Sequence, residues 1–136
     1  MNRDEAIAYI KEVEFGYLAT VGTDNAPRVR PVGIKDVYGD ALYFFTFRNT
    51  RKAAEVAANP QVEVAWSKPG TMSQVRISGT MAEEVDPAIQ QRFKDDNPMV
   101  AKLLPPGAEG LFLLYRLDPQ KVEAAQTLGP YTEVAW

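Results

Sequence analysis

Three cations, Arg48, Arg51 and Lys52, fall within the run Thr46-Phe47-Arg48-Asn49-Thr50-Arg51-Lys52, where the pattern predicts the start of a helix. A helix N-terminus already carries roughly +0.5 of an elementary charge and about four N–H groups without an intrahelical partner, so acidic side chains belong there. A bound anion relieves both excesses, and phosphate does so with several oxygens at once. The competing reading is a solvated helix start that tolerates its charges, because the penalty is only about 0.3–1 kcal/mol for each exposed cation. Asn49 or Thr50 suits the N-cap, and Ala53, Val56 and Ala57 supply an i, i+3, i+4 apolar stripe. Asn59-Pro60 is the stop.

The composition removes much other chemistry. With no cysteine and no histidine, Cys/His zinc sites, thiol redox and Cys–His or Ser–His–Asp catalysis all lose an obligatory group. Glu83-Glu84 and Asp95-Asp96 read as solvated turn and helix-end charges, so no metal site is expected. A net charge of −3 and a pI near 5.0 argue against nucleic acid as a partner, which requires a basic surface. Any phosphate site must therefore be local. The 136 residues, 46% hydrophobic and 24% charged, suit one domain spanning 1–136. No apolar run approaches the roughly 20 residues that span a bilayer, and Met-Asn-Arg-Asp-Glu-Ala is too acidic for a signal peptide. The expectation is a cytoplasmic protein with no membrane partner.

The elements that must position the cations follow from periodicity. Asn2 with Glu5 predicts a capping box, and Ala6, Ile7, Ile10 and Val13 the apolar face of a first helix. Phe15–Val21, Arg28 to about Val37, and Ala41–Thr46 read as three strands of a meander, the last a half-buried one, separated by turns at 22–27 and 38–40. Gln61–Trp66 and Gln74–Ala82 alternate as strands with one buried face, and Gly79 marks a bend or bulge. Asp86-Pro87 opens a helix running to about Lys94, with Ala88, Ile89 and Phe93 as its apolar contacts. Pro98–Pro106 is irregular, Leu111–Leu117 is a late strand and Lys121–Ala125 a further one. The sum is six or seven strands with short helices at three places, which fits a small antiparallel barrel with helical covers. Neither a Rossmann G-x-G-x-x-G nor a Walker G-x-x-x-x-G-K-[ST] motif occurs, so side chains and a bare helix start must hold any phosphate.

The order Phe15–Val21, Pro27-Arg28-Val29-Arg30-Pro31-Val32, Phe45-Thr46…Thr50-Arg51-Lys52-Ala53, Asn59-Pro60-Gln61-Val62 and Gln74-Val75-Arg76-Ile77-Ser78-Gly79 resembles the pyridoxamine 5′-phosphate oxidase-like, FMN-binding split-barrel superfamily. The resemblance covers about Phe15 to Ala82 and is looser beyond. It implies a mainly β, antiparallel split barrel with short covering helices, and FMN at a homodimer interface. On that likeness Arg30, Arg51 and Lys52 would hold the 5′-phosphate, with Thr50 adding a hydroxyl. Pro31, Val32, Gly33, Ile34 and Lys35 would pass along the isoalloxazine, Phe45 and Thr46 would line the other side, and Gln74 would reach in from the partner subunit. Taken singly, Arg28, Arg30 and Lys35 read as ordinary solvent-face residues, and Gln74 and Arg76 as the outer face of a strand. Tyr131 and Trp136 could cap a flavin or pack on a neighbouring subunit.

The likeness implies a small flavoprotein, a flavin-dependent oxidoreductase or electron carrier of unassigned substrate, with no catalytic residue singled out. The oxidase that names the group uses a phosphate-binding set in the helix after the Gln-Val-Arg strand and a later Arg/His pair. Here that helix, Gln90–Asp96, ends acidic, histidine is absent, and the segment that completes the oxidase is not evident, so pyridoxamine phosphate is not the expected substrate. The alternatives are a non-enzymatic flavin-binding or sensing protein, or the same fold holding deazaflavin F420 or haem. Haem would need Tyr, Met or Lys as its axial ligand.

Overall fold

Asn2 caps the first helix as its spacing to Glu5 predicts. In a computed structural model that describes all 136 residues, the Glu5 amide donates to Asn2 Oδ1 at 2.9 Å and the Asn2 amide to Glu5 Oε2 at 2.9 Å. Helix α1 (Arg3–Glu12) then buries Ala6 and Ile10 over one end of the core. The chain continues through β1 (Gly16–Val21), β2 (Pro27–Val32), β3 (Lys35–Tyr38), β4 (Ala41–Phe47), α2 (Arg51–Ala58), β5 (Gln61–Ser67) and β6 (Gln74–Glu83). Next come α3 (Pro87–Asp96), α4 (Met99–Leu103), a 3-10 turn at Glu109–Leu111, β7 (Phe112–Ala125) and β8 (Thr132–Glu133). Asp86 caps α3 through a 2.9 Å bond from the Ala88 amide, with Pro87 in the first turn.

All strand pairs are antiparallel, and the order across the sheet is β2-β1-β5-β6-β7-β4-β3, with β8 added on β7. The predicted meander is present as two hairpins, β1–β2 and β3–β4, which lie at opposite edges of the sheet rather than side by side. β1 pairs with β2 and β5, whereas β4 pairs with β3 and β7. The predicted long strand from Arg28 to Val37 breaks at Gly33-Ile34, and these two residues carry the chain from one edge of the sheet to the other. A sheet whose two edge strands are consecutive in sequence has to curl back on itself, which makes the split barrel.

Two apolar clusters follow from the curl. Inside the barrel, Leu18, Phe44, Trp66, Ile77, Met81 and Leu117 are fully buried, with the Phe44 and Trp66 rings stacked at 6.3 Å between centroids. Outside it, Tyr43, Phe45 and Phe112 pack under Phe93 of α3 and Val100 of α4. Strand β4 is therefore covered on both faces rather than half-buried, which is why Ala41–Phe45 reads as an unbroken apolar run. Ala57 and Ala88, predicted as helix contacts, are exposed. The irregular 98–106 segment holds the single turn of α4, and the two predicted late strands are one 14-residue strand, β7. Eight strands form in place of six or seven, because β3 splits from β2 and the short β8 had no pattern to announce it.

The bulge foreseen at Gly79 is present: the β6–β7 register slips between Ser78 and Gly79. A Cβ at Gly79 would lie 2.1 Å from the Asp118 carbonyl oxygen, a backbone atom with no rotamer to escape into. Gly79→Ala should therefore destabilise the fold by about 1–3 kcal/mol, measured as a lower urea midpoint with an unchanged slope.

Candidate functional site

The register of β1 against β2 sets Leu18 opposite Arg30 and Thr20 opposite Arg28. Period-two alternation turns these four side chains inward, while Tyr17, Val29 and Pro31 face out. Helix α2 lies across this corner and places Glu55, only 2% exposed, against them. Glu55 Oε1 accepts from Arg30 Nη2 at 2.6 Å and from the Thr20 hydroxyl at 3.0 Å. Arg30 Nη1 donates to Thr20 Oγ1 at 2.7 Å and to the Leu18 carbonyl at 3.2 Å. The other carboxylate oxygen, Oε2, faces Arg28 Nε at 4.0 Å and Arg51 Nε at 3.9 Å. Arg28 is paired a second time, with Asp24 at 2.7 Å.

The start of α2 adds to this positive corner. Thr50 holds the N-cap position, but no side chain caps the first turn, because its hydroxyl donates instead to the Phe47 carbonyl at 3.0 Å. Lys52 Nζ donates to the buried Thr46 hydroxyl at the end of β4. Burial, and secondarily the Arg30 guanidinium, disfavour the charged form of Lys52 and lower its pKa. Four cations, Arg28, Arg30, Arg51 and Lys52, thus meet two carboxylates, Glu55 and Asp24, beside uncapped helix N–H groups.

Of the residues predicted from sequence, the fold brings Arg30, Thr46, Thr50, Arg51 and Lys52 to one corner. Val32 is buried in the barrel, Pro31 faces outward, and Gly33 and Ile34 form the link between the edge strands. Ile34 does not continue the Arg30–Val32 face. Its side chain packs on the outer cluster, and its carbonyl accepts the Phe45 amide at 3.2 Å. The Phe45 ring belongs to that outer cluster too, opposite Thr46 on the strand. Lys35 Nζ ties down the chain after α1, donating to the Val13 carbonyl at 2.6 Å and the Glu14 carbonyl at 2.9 Å, and burial lowers its pKa. Gln74 stands on the outward face of β6, where its side-chain oxygen accepts the Tyr131 hydroxyl at 3.2 Å, so within the chain it does not meet Arg30. Trp136 lies elsewhere, its indole donating to the Asp40 carbonyl and its ring under Arg3.

Comparison with known proteins gives the family and the fold. A family model described as pyridoxamine 5′-phosphate oxidase matches residues 3–125. The chain belongs to that family. A pyridoxine/pyridoxamine 5′-phosphate oxidase from Cupriavidus metallidurans is 32% identical over 101 residues, which are 74% of this chain and 47% of that protein. The chain spans less than half the length of the curated relatives it matches. General stress protein 26 from Bacillus anthracis superposes with a TM-score of 0.76 at 21% identity, covering 98% of this chain and 99% of that one. A heme binding protein from Mycobacterium smegmatis superposes with a TM-score of 0.75 at 19% identity, covering 95% of this chain and 55% of that one. These structural likenesses establish the split-barrel fold, which the family shares.

The donor set fits a phosphate-bearing cofactor. A guanidinium has five N–H donors. Three of those on Arg30 are used internally, leaving Nε–H and one Nη2–H for a ligand. Two residues of this site, Glu55 and Thr20, escape sequence reasoning. Glu55 is the one acid in an otherwise cationic and apolar helix and stands four residues after Arg51, which was the available signal. Thr20 gave none.

A pH dependence follows from Lys52. Its folded pKa is depressed, so between that value and the ordinary 10.5 the unfolded chain binds more protons, and stability rises with pH across the window. Below the window the buried ammonium opposes folding in full. Lys52→Met, which keeps the stem and removes the charge, should raise the melting temperature of the ligand-free protein near neutral pH. The gap to wild type should close as the pH approaches 10.5, as followed by scanning calorimetry.

Proposed function

We propose that this family member is a small flavoprotein that holds FMN by its 5′-phosphate at Arg30, Thr50, Arg51 and Lys52 and works as a homodimer. The observation that carries the reading is the excess of cations at an uncapped helix start, beside an arginine with two donors to spare. Thr46 holds the Lys52 ammonium in place, and the backbone of Val32, Gly33, Ile34 and Lys35, which follows Arg30 in the chain, would hold the ring. Bound flavin supplies one- and two-electron transfer, and the chain supplies grip and orientation. The function proposed is therefore oxidoreductase or electron carrier, with no catalytic side chain assigned.

Pyridoxamine phosphate is disfavoured as substrate by α3. There Arg92 lies over the Tyr38 ring at 3.9 Å and pairs with Asp96, while Lys94 lies over the Phe112 ring at 4.3 Å. Both cations are thus drawn toward groups of this chain, and no histidine is present to complete the Arg/His pair of the oxidase. Homodimer formation is supported by the outward face of β1 and β2, where Tyr17 is 54% and Val29 68% exposed beside Pro31. On this reading Gln74, on the outward face of β6, would serve the site of the second copy. Deazaflavin F420 and haem are the remaining occupants of this fold, and an axial ligand for haem would have to come from Tyr, Met or Lys.

The purified protein should be yellow, or turn yellow with added FMN, and mass spectrometry of the bound material separates FMN from F420 and haem; a colourless protein that takes up no flavin sinks the assignment. Exchanging both Arg51 and Lys52 for Ala should weaken FMN binding by about 3–5 kcal/mol, since charge-assisted phosphate bonds are worth about 1.5–3 kcal/mol each. Light scattering at micromolar concentration should give twice the 15.1 kDa chain mass.

A further inference from the structure

Glu55 is an acid inside a cluster whose proposed ligand is an anion, and its placement is not incidental. It is 2% exposed, it receives the shortest bond that Arg30 makes, at 2.6 Å, and it shares Thr20 with that same arginine. Its two oxygens do different things. Oε1 takes both hydrogen bonds, while Oε2 makes none and only faces Arg28 and Arg51 across about 4 Å. Geometry and charge can therefore be separated in this one side chain.

We infer that Glu55 is a positioning residue, a built-in counter-ion that aims the free edge of Arg30 at the ligand phosphate while holding the affinity for that phosphate below what the four cations alone would give. The inference rests on reading this corner as the phosphate grip. Through Oε1 the side chain pins the Arg30 fork from below, so that Nε–H and one Nη2–H point away from the Thr20–Glu55 side. Through Oε2 it offsets positive charge that a phosphate would otherwise meet in full. The first effect favours phosphate binding and the second opposes it, and the two respond differently to substitution.

Glu55→Gln keeps an Oε1 acceptor for Arg30 and Thr20 and removes the charge. Glu55→Ala removes both, and Glu55→Asp keeps the charge but withdraws it from Arg30. The readout is the ratio of FMN affinity to riboflavin affinity, measured by quenching of flavin fluorescence on the ligand-free protein. Riboflavin has the same ring and ribityl chain but no phosphate, so the ratio isolates the grip from general damage to the fold. The Gln variant should raise the ratio about 3- to 10-fold, and the Ala and Asp variants should lower it about tenfold. Gln and Ala shifting the ratio in the same direction, or neither shifting it, overturns the inference. If Ala does not fold, Asp against Gln decides the same question.

Failure of the flavin reading is distinguishable. A wild-type protein that binds neither flavin ends that reading, and the same variants titrated with pyrophosphate by calorimetry then decide the role of Glu55, with the same opposite shifts required. A wild-type protein that binds no pyrophosphate either overturns both.

Discussion

Only Gly33 and Ile34 separate β2 from β3, yet these strands are the two edges of a path seven strands wide. Everything else in the structure accommodates that connection. From Val32 to Lys35 the chain takes three steps and spans at most about 10–11 Å, so the sheet has to curl until its edges nearly meet. The curl forms the inner apolar cluster around Trp66 and Phe44. It also leaves the outer surface of β4 and β7 needing a cover, which α3 and α4 supply. The same curl brings the inward face of β2 beside the end of β4 and the helix that follows it, so the link that closes the barrel also assembles the cationic corner.

Within that corner the energetics are set by desolvation. Burying a carboxylate costs several kcal/mol, and Coulomb attraction recovers it only when geometry is good and lone pairs are occupied. Glu55 meets the condition through Arg30 and Thr20 on one oxygen and two nearby guanidiniums on the other. The arrangement is asymmetric all the same. More positive charge surrounds Glu55 than it can balance, and Lys52 is held partly desolvated beside Arg30 with its charged form disfavoured. A site left in that state is suited to a second, exchangeable anion. The helix start reinforces this, since its N–H groups have no side-chain cap.

The first anomaly in the sequence was the set of cations where a helix disfavours them. The structure divides that anomaly in two. Part is answered internally, because Glu55 stands one turn into the same helix and meets Arg51 as well as Arg28 and Arg30. Arg48 leaves the corner altogether, pairing with Glu83 at 2.5 Å. The residue that remains uncompensated is Lys52, with the free edge of Arg30. Glu83 and Glu84, read from sequence as solvated, turn out to be partners of Arg48 and Arg116.

Local rules alone determined a good deal: the Asn2–Glu5 and Asp86-Pro87 helix starts, the alternating faces of β5 and β6, the bulge at Gly79, and the motif order that carries the family. Each depends on residues close in the chain, where spacing translates directly into geometry. Strand partners were different. Hairpin-like spacing announced the local pairs β1–β2, β3–β4 and β5–β6, but the pairs that join them, β1–β5, β6–β7 and β4–β7, depend on how the whole sheet closes rather than on any turn. The same applies to Glu55, Thr20 and Arg30, which are 10 to 35 residues apart. That a glutamate in an exposed-looking helix becomes the buried counter-ion of a cluster of arginines follows from tertiary packing, because only packing removes the water that would have solvated it.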